Sequence, residues 1–263
     1  MAKNNAQRTA ASGPSSRRPF YLILAAIAVL GIVAIVYEKK TSTHRTPEEM
    51  NAEYEALKQK YANAGPPQPY VRGKADAPVV IEEFADYECP SCGNFATVTE
   101  PDVRARIVDA GLAQYKYYDF PLPMHGNSRQ ASLAAACADE QGKFWEMHDQ
   151  LFASQDRWGL SPSEAQVTDN PTPVFQSLAK AIGLDMTKWQ QCYDSKKYEA
   201  RVMANMSEAL RRNIDQTPTF FVNGVKIAGA VPYDQLKQAV DNAAKQGPMS
   251  AADSALGNII SHH

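Results

Sequence analysis

Apolar and polar positions change their period several times along the chain, and each change marks an element. Residues 20–37, FYLILAAIAVLGIVAIVY, form an 18-residue run without a charge. As a helix this run would be about 27 Å long at about 1.5 Å per residue, enough for the hydrocarbon core of a bilayer. Polar residues return in THRTPEEMNAEYEALKQKYANAG, where Thr46 as N-cap, Pro47 at the first helical position and Glu49 make a capping box. Met50, Tyr54, Leu57 and Tyr61 then recur at helical spacing. They predict a stalk helix docked on its own chain. GPPQPY, residues 65–70, reads as a stiff linker.

Beyond the linker the period shortens. APVVIEEFA, 77–85, is nearly continuous in apolar residues, as expected of a strand buried on both faces. A helix is predicted from about 90 to 109, kinked or broken at Pro101. AQYKYYDF, 113–120, is the next strand and runs into the loop PLPMHG. Residues 127–213 then read almost wholly as helices: Ala-rich NSRQASLAAACADEQ, amphipathic KFWEMHDQLFAS, DMTKWQQCYDS behind an Asp185 cap, and KKYEARVMANMSEALRRN. The Ser, Asn and Pro residues of 159–173 mark a loop within that block. Strand signals return in TFFV, 219–222, followed by the turn Asn223-Gly224 and VKIAG, a strong hairpin signature. PYDQLKQAVDNAAKQ, 232–246, is a closing helix. Strand, helix, strand, helical block, hairpin and helix together describe an α/β thioredoxin fold with a helical insertion at about 127–213.

Charge sets the orientation. Residues 1–19 contain Lys3, Arg8, Arg17 and Arg18 and no acid. Positive flanks keep a segment cytoplasmic, so 1–19 is read as a cytoplasmic tail and 20–37 as one N-terminal transmembrane helix. Residues 38–65 form the stalk helix and linker, 66–246 the folded domain, and 247–263 a loose tail. A cleaved signal peptide is the rival reading. It would need a shorter apolar stretch and a small-residue cleavage site, whereas this run ends in VYEKK. The domain is therefore expected to face the periplasm or the extracellular side of the cytoplasmic (inner) membrane. A net charge of −2 without a basic stripe argues against a nucleic-acid partner. An apolar share of 44% suffices for a sizeable core.

The four cysteines carry the candidate chemistry. Cys89 and Cys92 lie in FADYECPSCGNF, where the first strand gives way to a helix. Helix N-terminal N–H groups stabilise an anion, and the thiolate is the reactive form of cysteine. Cys89 is thus the candidate nucleophile, and Cys92, one turn later, the more buried partner that closes back on it. Pro90 is tolerated because a first-turn residue needs no N–H. A zinc site would need further ligands at short spacing, which Cys137 and Cys192 lack, so no metal is expected. A structural staple is a poor alternative, because so short a loop removes little chain entropy. Cys137 and Cys192 both fall in helices of the insertion. In an oxidising compartment they are expected to pair, closing a loop of 55 residues for which chain entropy predicts roughly 4 kcal/mol. Two buried free thiols are the alternative.

Two further positions bear on the pair. Glu83 shares a strand face with Val79 and Ile81, while Glu82 points the other way with Val80 and Phe84. A buried carboxyl below the dithiol could relay protons to and from Cys92; an exposed strand end is the alternative. Pro218 in DQTPTFFVNG precedes a strand that has no room for it at its centre. A cis Thr217–Pro218 bond beside the dithiol would present the Thr217 backbone to an extended substrate. His125, His148, Trp145, Trp158 and Trp189 are read as packing, groove or surface residues.

FADYECPSCGNF, the block containing ACADEQGKFWEMHDQLF, and TPTFFVNGVKIAG occur in an order that resembles the DsbA-like thioredoxin-fold thiol–disulfide oxidoreductases over roughly residues 66–246. The resemblance implies a redox-active Cys89–Cys92 disulfide with no other cofactor, a nucleophile at Cys89, a resolving Cys92, an acid at Glu83 and a cis-proline at Pro218. It also implies unfolded exported proteins as substrates, a cell-envelope location, and reoxidation by a quinone-linked membrane partner of the DsbB or vitamin K epoxide reductase-like kind. The pattern departs from strongly oxidising members between the cysteines, where Pro90-Ser91 replaces Pro-His. Asp86 and Glu88 add negative charge that is expected to raise the Cys89 pKa. An oxidase, expected to be monomeric, is the leading reading. An envelope reductase or isomerase is the second, and a dimer in sedimentation would favour it. A tethered peptide-binding holdase with incidental thiols is the third, and it would keep its function after Cys89→Ser.

Overall fold

The computed structural model describes residues 21–24, 27–32, 47–159 and 170–246 of the chain. Residues 21–24 and 27–32 are helical. The remainder of the 20–37 run, the Thr46 cap, most of the 159–173 loop and the tail from 247 lie outside the described residues. Among the described residues no helix is long and apolar enough to cross a membrane.

Five strands form one mixed sheet in the order β1-β3-β2-β4-β5. They are β1 (Tyr70–Arg72), β2 (Val79–Ala85), β3 (Ala113–Asp119), β4 (Thr219–Val222) and β5 (Val225–Ala228). β2 and β3 run parallel, with Glu83 opposite Tyr117, and β4 pairs antiparallel with β2, placing Glu83 opposite Phe220. Asn223 and Gly224 both have positive φ, 45° and 85°, which suits the two-residue turn between β4 and β5. β1 departs from the linker reading of residues 65–70. Tyr70 is buried and stacks on Phe144 with ring centroids 3.5 Å apart, so burial of one aromatic ring draws a three-residue strand onto the edge of β3.

The helices follow the predicted order. α1 (Pro47–Lys60) precedes the sheet. After β2, α2 (Pro90–Asn94) passes through a π-helical segment (Phe95–Thr99) into α3 (Glu100–Val103) and a second π segment (Arg104–Val108). The helix does not break at Pro101. The first π turn closes with the Glu100 N–H on the Phe95 carbonyl, and the chain passes the proline in a widened turn. The insertion comprises α4 (Ser128–Asp139), α5 (Phe144–Ala153), a short 3-10 turn (Gln155–Arg157), α6 (Thr172–Ala181), α7 (Met186–Asp194) and α8 (Glu199–Arg211). Asp185 caps α7, its side chain accepting from the N–H groups of Thr187 and Lys188. α9 (Tyr233–Gln246) closes the domain.

The period-2 alternation of β2 sorts its residues between two cores. Val79, Ile81 and Ala85 join the larger core with Cys92, Phe95, Met147, Trp158 and Trp189. Phe84 faces the smaller one with Tyr118, Met203, Met206 and Phe221, and Tyr54 and Leu57 of α1, with Tyr61 just after it, pack against this cluster. The stalk stripe therefore docks on its own chain. Arg129 pins α1 to the insertion through ion pairs to Glu53 and Glu199.

A disulfide joins Cys137 of α4 to Cys192 of α7. It closes 55 residues. Cys137→Ala/Cys192→Ala is expected to lower unfolding free energy by roughly 2–4 kcal/mol in urea titration; a loss below about 1 kcal/mol would mean the bridge adds little to the packing around it.

Candidate active site

Cys89 is the N-cap of α2, in extended conformation, and Pro90 occupies the first helical turn. Ser91, beside Pro90 in that turn, is exposed. The preceding strand ends in a turn in which the Cys89 N–H donates to the Asp86 carbonyl at 3.1 Å. The Gly93 N–H then donates to the Cys89 carbonyl at 3.0 Å and starts the helix. Cys89 retains 7% exposure and Cys92 none, so the two thiols differ in access to a partner. Neither is disulfide-bonded here.

The surroundings split their acidities. Cys89 is lowered to about 6, chiefly because the Cys92 thiol hydrogen-bonds to its sulfur; partial burial opposes this, and Thr217 and the Cys92 backbone N–H assist. Cys92 is pushed well up, first by burial and then by donating to Cys89. The pair therefore holds its negative charge on the outer sulfur. Asp86 does raise the Cys89 pKa, as its charge predicts, but its influence comes after those of Cys92, burial and Thr217, and the net shift is downward. The Asp86 carboxylate accepts the Glu88 N–H and the Leu122 N–H and meets His125 Nδ1, each at 2.7 Å. Glu88 accepts the Asn127 N–H at 2.7 Å. His125, read from sequence as a packing or surface residue, is raised; burial opposes this and the Asp86 contact outweighs it.

The Thr217–Pro218 bond is cis. The Thr217 carbonyl lies 3.5 Å from Cys89 Sγ, which donates to it. Thr217, distant in sequence, and the start of β4, which pairs with β2, thus lie against the dithiol.

Glu83 is 2% exposed on the core face of β2. Tyr115 of β3 donates a hydrogen bond to its carboxylate. Burial first, and then the charge of Glu100, raise Glu83 well above the usual carboxylate range. Glu100 is itself buried, yet His148 and Arg104 hold it below that range against the cost of burial. His148 lies 3.1 Å from Glu100 and 3.2 Å from the Tyr87 hydroxyl. Glu100, His148 and Asp149 come close enough to suggest a cation site, but Arg104 bonds to both carboxylates at 2.7–2.8 Å and is the cation there. Glu82 faces the opposite side of the sheet and pairs with Arg212.

Sequence reasoning missed Tyr115, Glu100 and Gln155. The signal for the network was His148 itself, a lone polar residue among Phe144, Met147, Leu151 and Phe152 on the buried face of α5. Such a residue requires a polar partner.

A thioredoxin family model matches residues 66–242. Na(+)/H(+) antiporter NhaA 3 of Salinispora tropica is 35% identical over 179 residues, which cover 68% of this chain and 25% of that protein. The chain thus spans about a quarter of the antiporter's length. Disulfide bond formation protein D of Bacillus subtilis is 28% identical over 178 residues, 66% of this chain and 77% of that protein. The crystal structure of oxidised BdbD from Bacillus subtilis superposes with a TM-score of 0.58 at 28% identity, covering 68% of this chain and 97% of that one.

The acidity of Glu83 makes a signed prediction. A carboxyl raised by folding favours the protonated native state, so its stabilising effect is present at low pH and is lost as pH rises through the folded value. Glu83→Gln mimics the protonated form. The variant should match the wild-type reduced protein near pH 5 and exceed its unfolding free energy by about 1 kcal/mol or more near pH 8. A wild type more stable than the variant at pH 8 would contradict the assignment.

Proposed function

Because the chain belongs to the thioredoxin family, in the DsbA-like form that carries a helical insertion, we propose that it is a thiol–disulfide oxidoreductase that introduces disulfides into exported proteins through Cys89 and Cys92. The observation that carries this reading is the split between the two thiols: an accessible sulfur lowered to about 6 beside one that is buried and raised. A dithiol that carries a stabilised thiolate resists reoxidation, and its disulfide is correspondingly oxidising.

In the oxidised enzyme a substrate thiolate attacks Cys89 Sγ. The Cys89–Cys92 bond breaks, a substrate–Cys89 bond forms, and Cys92 leaves as thiolate. Glu83, protonated within the core, supplies the proton that this buried sulfur requires. A second substrate thiolate then attacks the substrate sulfur of the mixed disulfide and expels the Cys89 thiolate. The substrate loses two electrons and the enzyme gains them. The Pro90-Ser91 turn keeps both sulfurs on one helical turn. Thr217 and the cis Pro218 offer backbone beside Cys89 against which an extended substrate can align.

Reoxidation requires a two-electron acceptor. We assign this to a quinone-linked membrane oxidase of the DsbB or vitamin K epoxide reductase-like kind, with the chain tethered beside it through residues 20–37, its N-terminus cytoplasmic and its domain outside. The uncharged run and its positive flank support the tether.

Cys92→Ala in the full-length chain tests the reading. It should trap exported proteins as mixed disulfides on Cys89, and the trapped species should stay with membranes through alkaline carbonate extraction. An absence of mixed disulfides, with Cys89→Ser cells behaving as wild type, would overturn the assignment in favour of a holdase.

A further inference from the structure

The turn that carries Cys89 is held from outside the thioredoxin half of the domain. Gln155, in the 3-10 turn after α5, points its carboxamide at it. Its Nε2 donates to the Tyr87 carbonyl at 2.8 Å and to the Cys89 carbonyl at 2.9 Å. One NH2 group thus spans both ends of the Tyr87–Glu88–Cys89 segment. The oxygen of the same carboxamide rests on the helix that carries Cys92, where a Cβ on Gly93 would lie 2.5 Å from Gln155 Oε1. That position must be glycine if the carboxamide is to stay where it is.

The strap that delivers Gln155 is itself fixed. The Gln155 carbonyl accepts the Gly159 N–H at 2.7 Å. Trp158 is fully buried and its indole N–H donates to the Leu151 carbonyl at 3.0 Å. The Trp158 carbonyl accepts from Asn127 Nδ2 at 2.9 Å, and the Asn127 N–H donates to Glu88 at 2.7 Å. Strap and cysteine turn therefore meet at Tyr87, at Cys89 and, through Asn127, at Glu88.

We infer that Gln155 is a positioning residue of the dithiol: its carboxamide, supplied by the helical insertion, fixes the Tyr87–Cys89 turn and so holds the Cys89 sulfur at the helix N-terminus. Two carbonyl oxygens with their negative ends near this turn would otherwise lack their shared donor. The donor end of the carboxamide places a partial positive charge within one residue of the sulfur. Both effects favour the thiolate. The insertion thus does more than widen the domain, because it sets the reactivity of the cysteine that sequence reasoning assigns to the strand–helix junction alone. The inference rests on the reading of Cys89 as the attacking thiol.

The test compares full-length wild type, Gln155→Leu, Gly93→Ala and the double variant, reduced and in mild detergent. Thiolate absorbance against pH reads Cys89, and thermal unfolding reads the fold. Each single variant should raise the Cys89 pKa by about half a unit or more, about threefold in its ionisation constant. The double variant should shift no further than the larger single one, because both changes remove the same contact. Gly93→Ala adds one methyl and leaves the Gln155 side chain intact but displaced, so it decides the matter if Gln155→Leu fails to fold. Folded single variants that titrate as wild type, or shifts that add in the double variant, would overturn the role of Gln155. A merely structural contact would lower the unfolding temperature without moving the titration, which equally overturns it. A wild-type Cys89 that titrates at the ordinary thiol value of about 8.5 would instead overturn the functional reading on which the inference rests.

Discussion

The junction of β2 and α2 imposes the constraint on which the site depends. A helix that begins at Cys89 brings the Cys92 backbone N–H to that sulfur, leaves Cys89 with 7% exposure, and turns Cys92 fully into the core. One thiol can then be charged and approached while the other cannot. The opposite displacement of their acidities follows from this geometry more than from the identity of the dipeptide between them. Ser91 contributes no charge, yet the Cys92 thiol and the Thr217 side chain lower Cys89 without help from a residue at that position.

Sealing Cys92 creates a second requirement, since a buried sulfur that alternates between thiol and thiolate needs a nearby proton store. In the proposed mechanism Glu83 fills that place. Burial and the charge of Glu100, which is held ionised by His148 and Arg104, raise Glu83, while the Tyr115 hydrogen bond to its carboxylate works the other way. The result is a buried group of complementary charges in which each polar side chain has a partner, as an apolar interior demands. The π-helical segments on either side of α3 belong to the same arrangement, since Glu100 and Arg104 each begin directly after or within one of them.

Much of this was legible in the chain. The period of two in VVIEEFA separates Glu83 from Glu82, and the structure buries the first in the core and pairs the second with Arg212. The Asn223-Gly224 turn and the Asp185 cap are local signals with local causes. The partners of Glu83 were not legible, because Tyr115, Glu100 and His148 come from three elements and meet only in the folded domain. Distance along the chain also hid Gln155, which lies 66 positions from the Cys89 carbonyl it holds. β1 was concealed by its length and by the prolines before it. The net acidity of Cys89 was not legible either: Asp86 raises it as its charge predicts, but the hydrogen bonds from Cys92 and from distant Thr217, which outweigh that charge, form only in the folded domain.

If stabilised charge on Cys89 makes the reduced dithiol the favoured state, the reduction potential of Cys89–Cys92 shows it most directly, read by equilibrating the full-length protein in detergent with glutathione buffers. The expected value lies well above about −200 mV, toward the roughly −120 mV of strong oxidants. A value near about −270 mV, as in thioredoxin, would contradict it and make the protein a reductase.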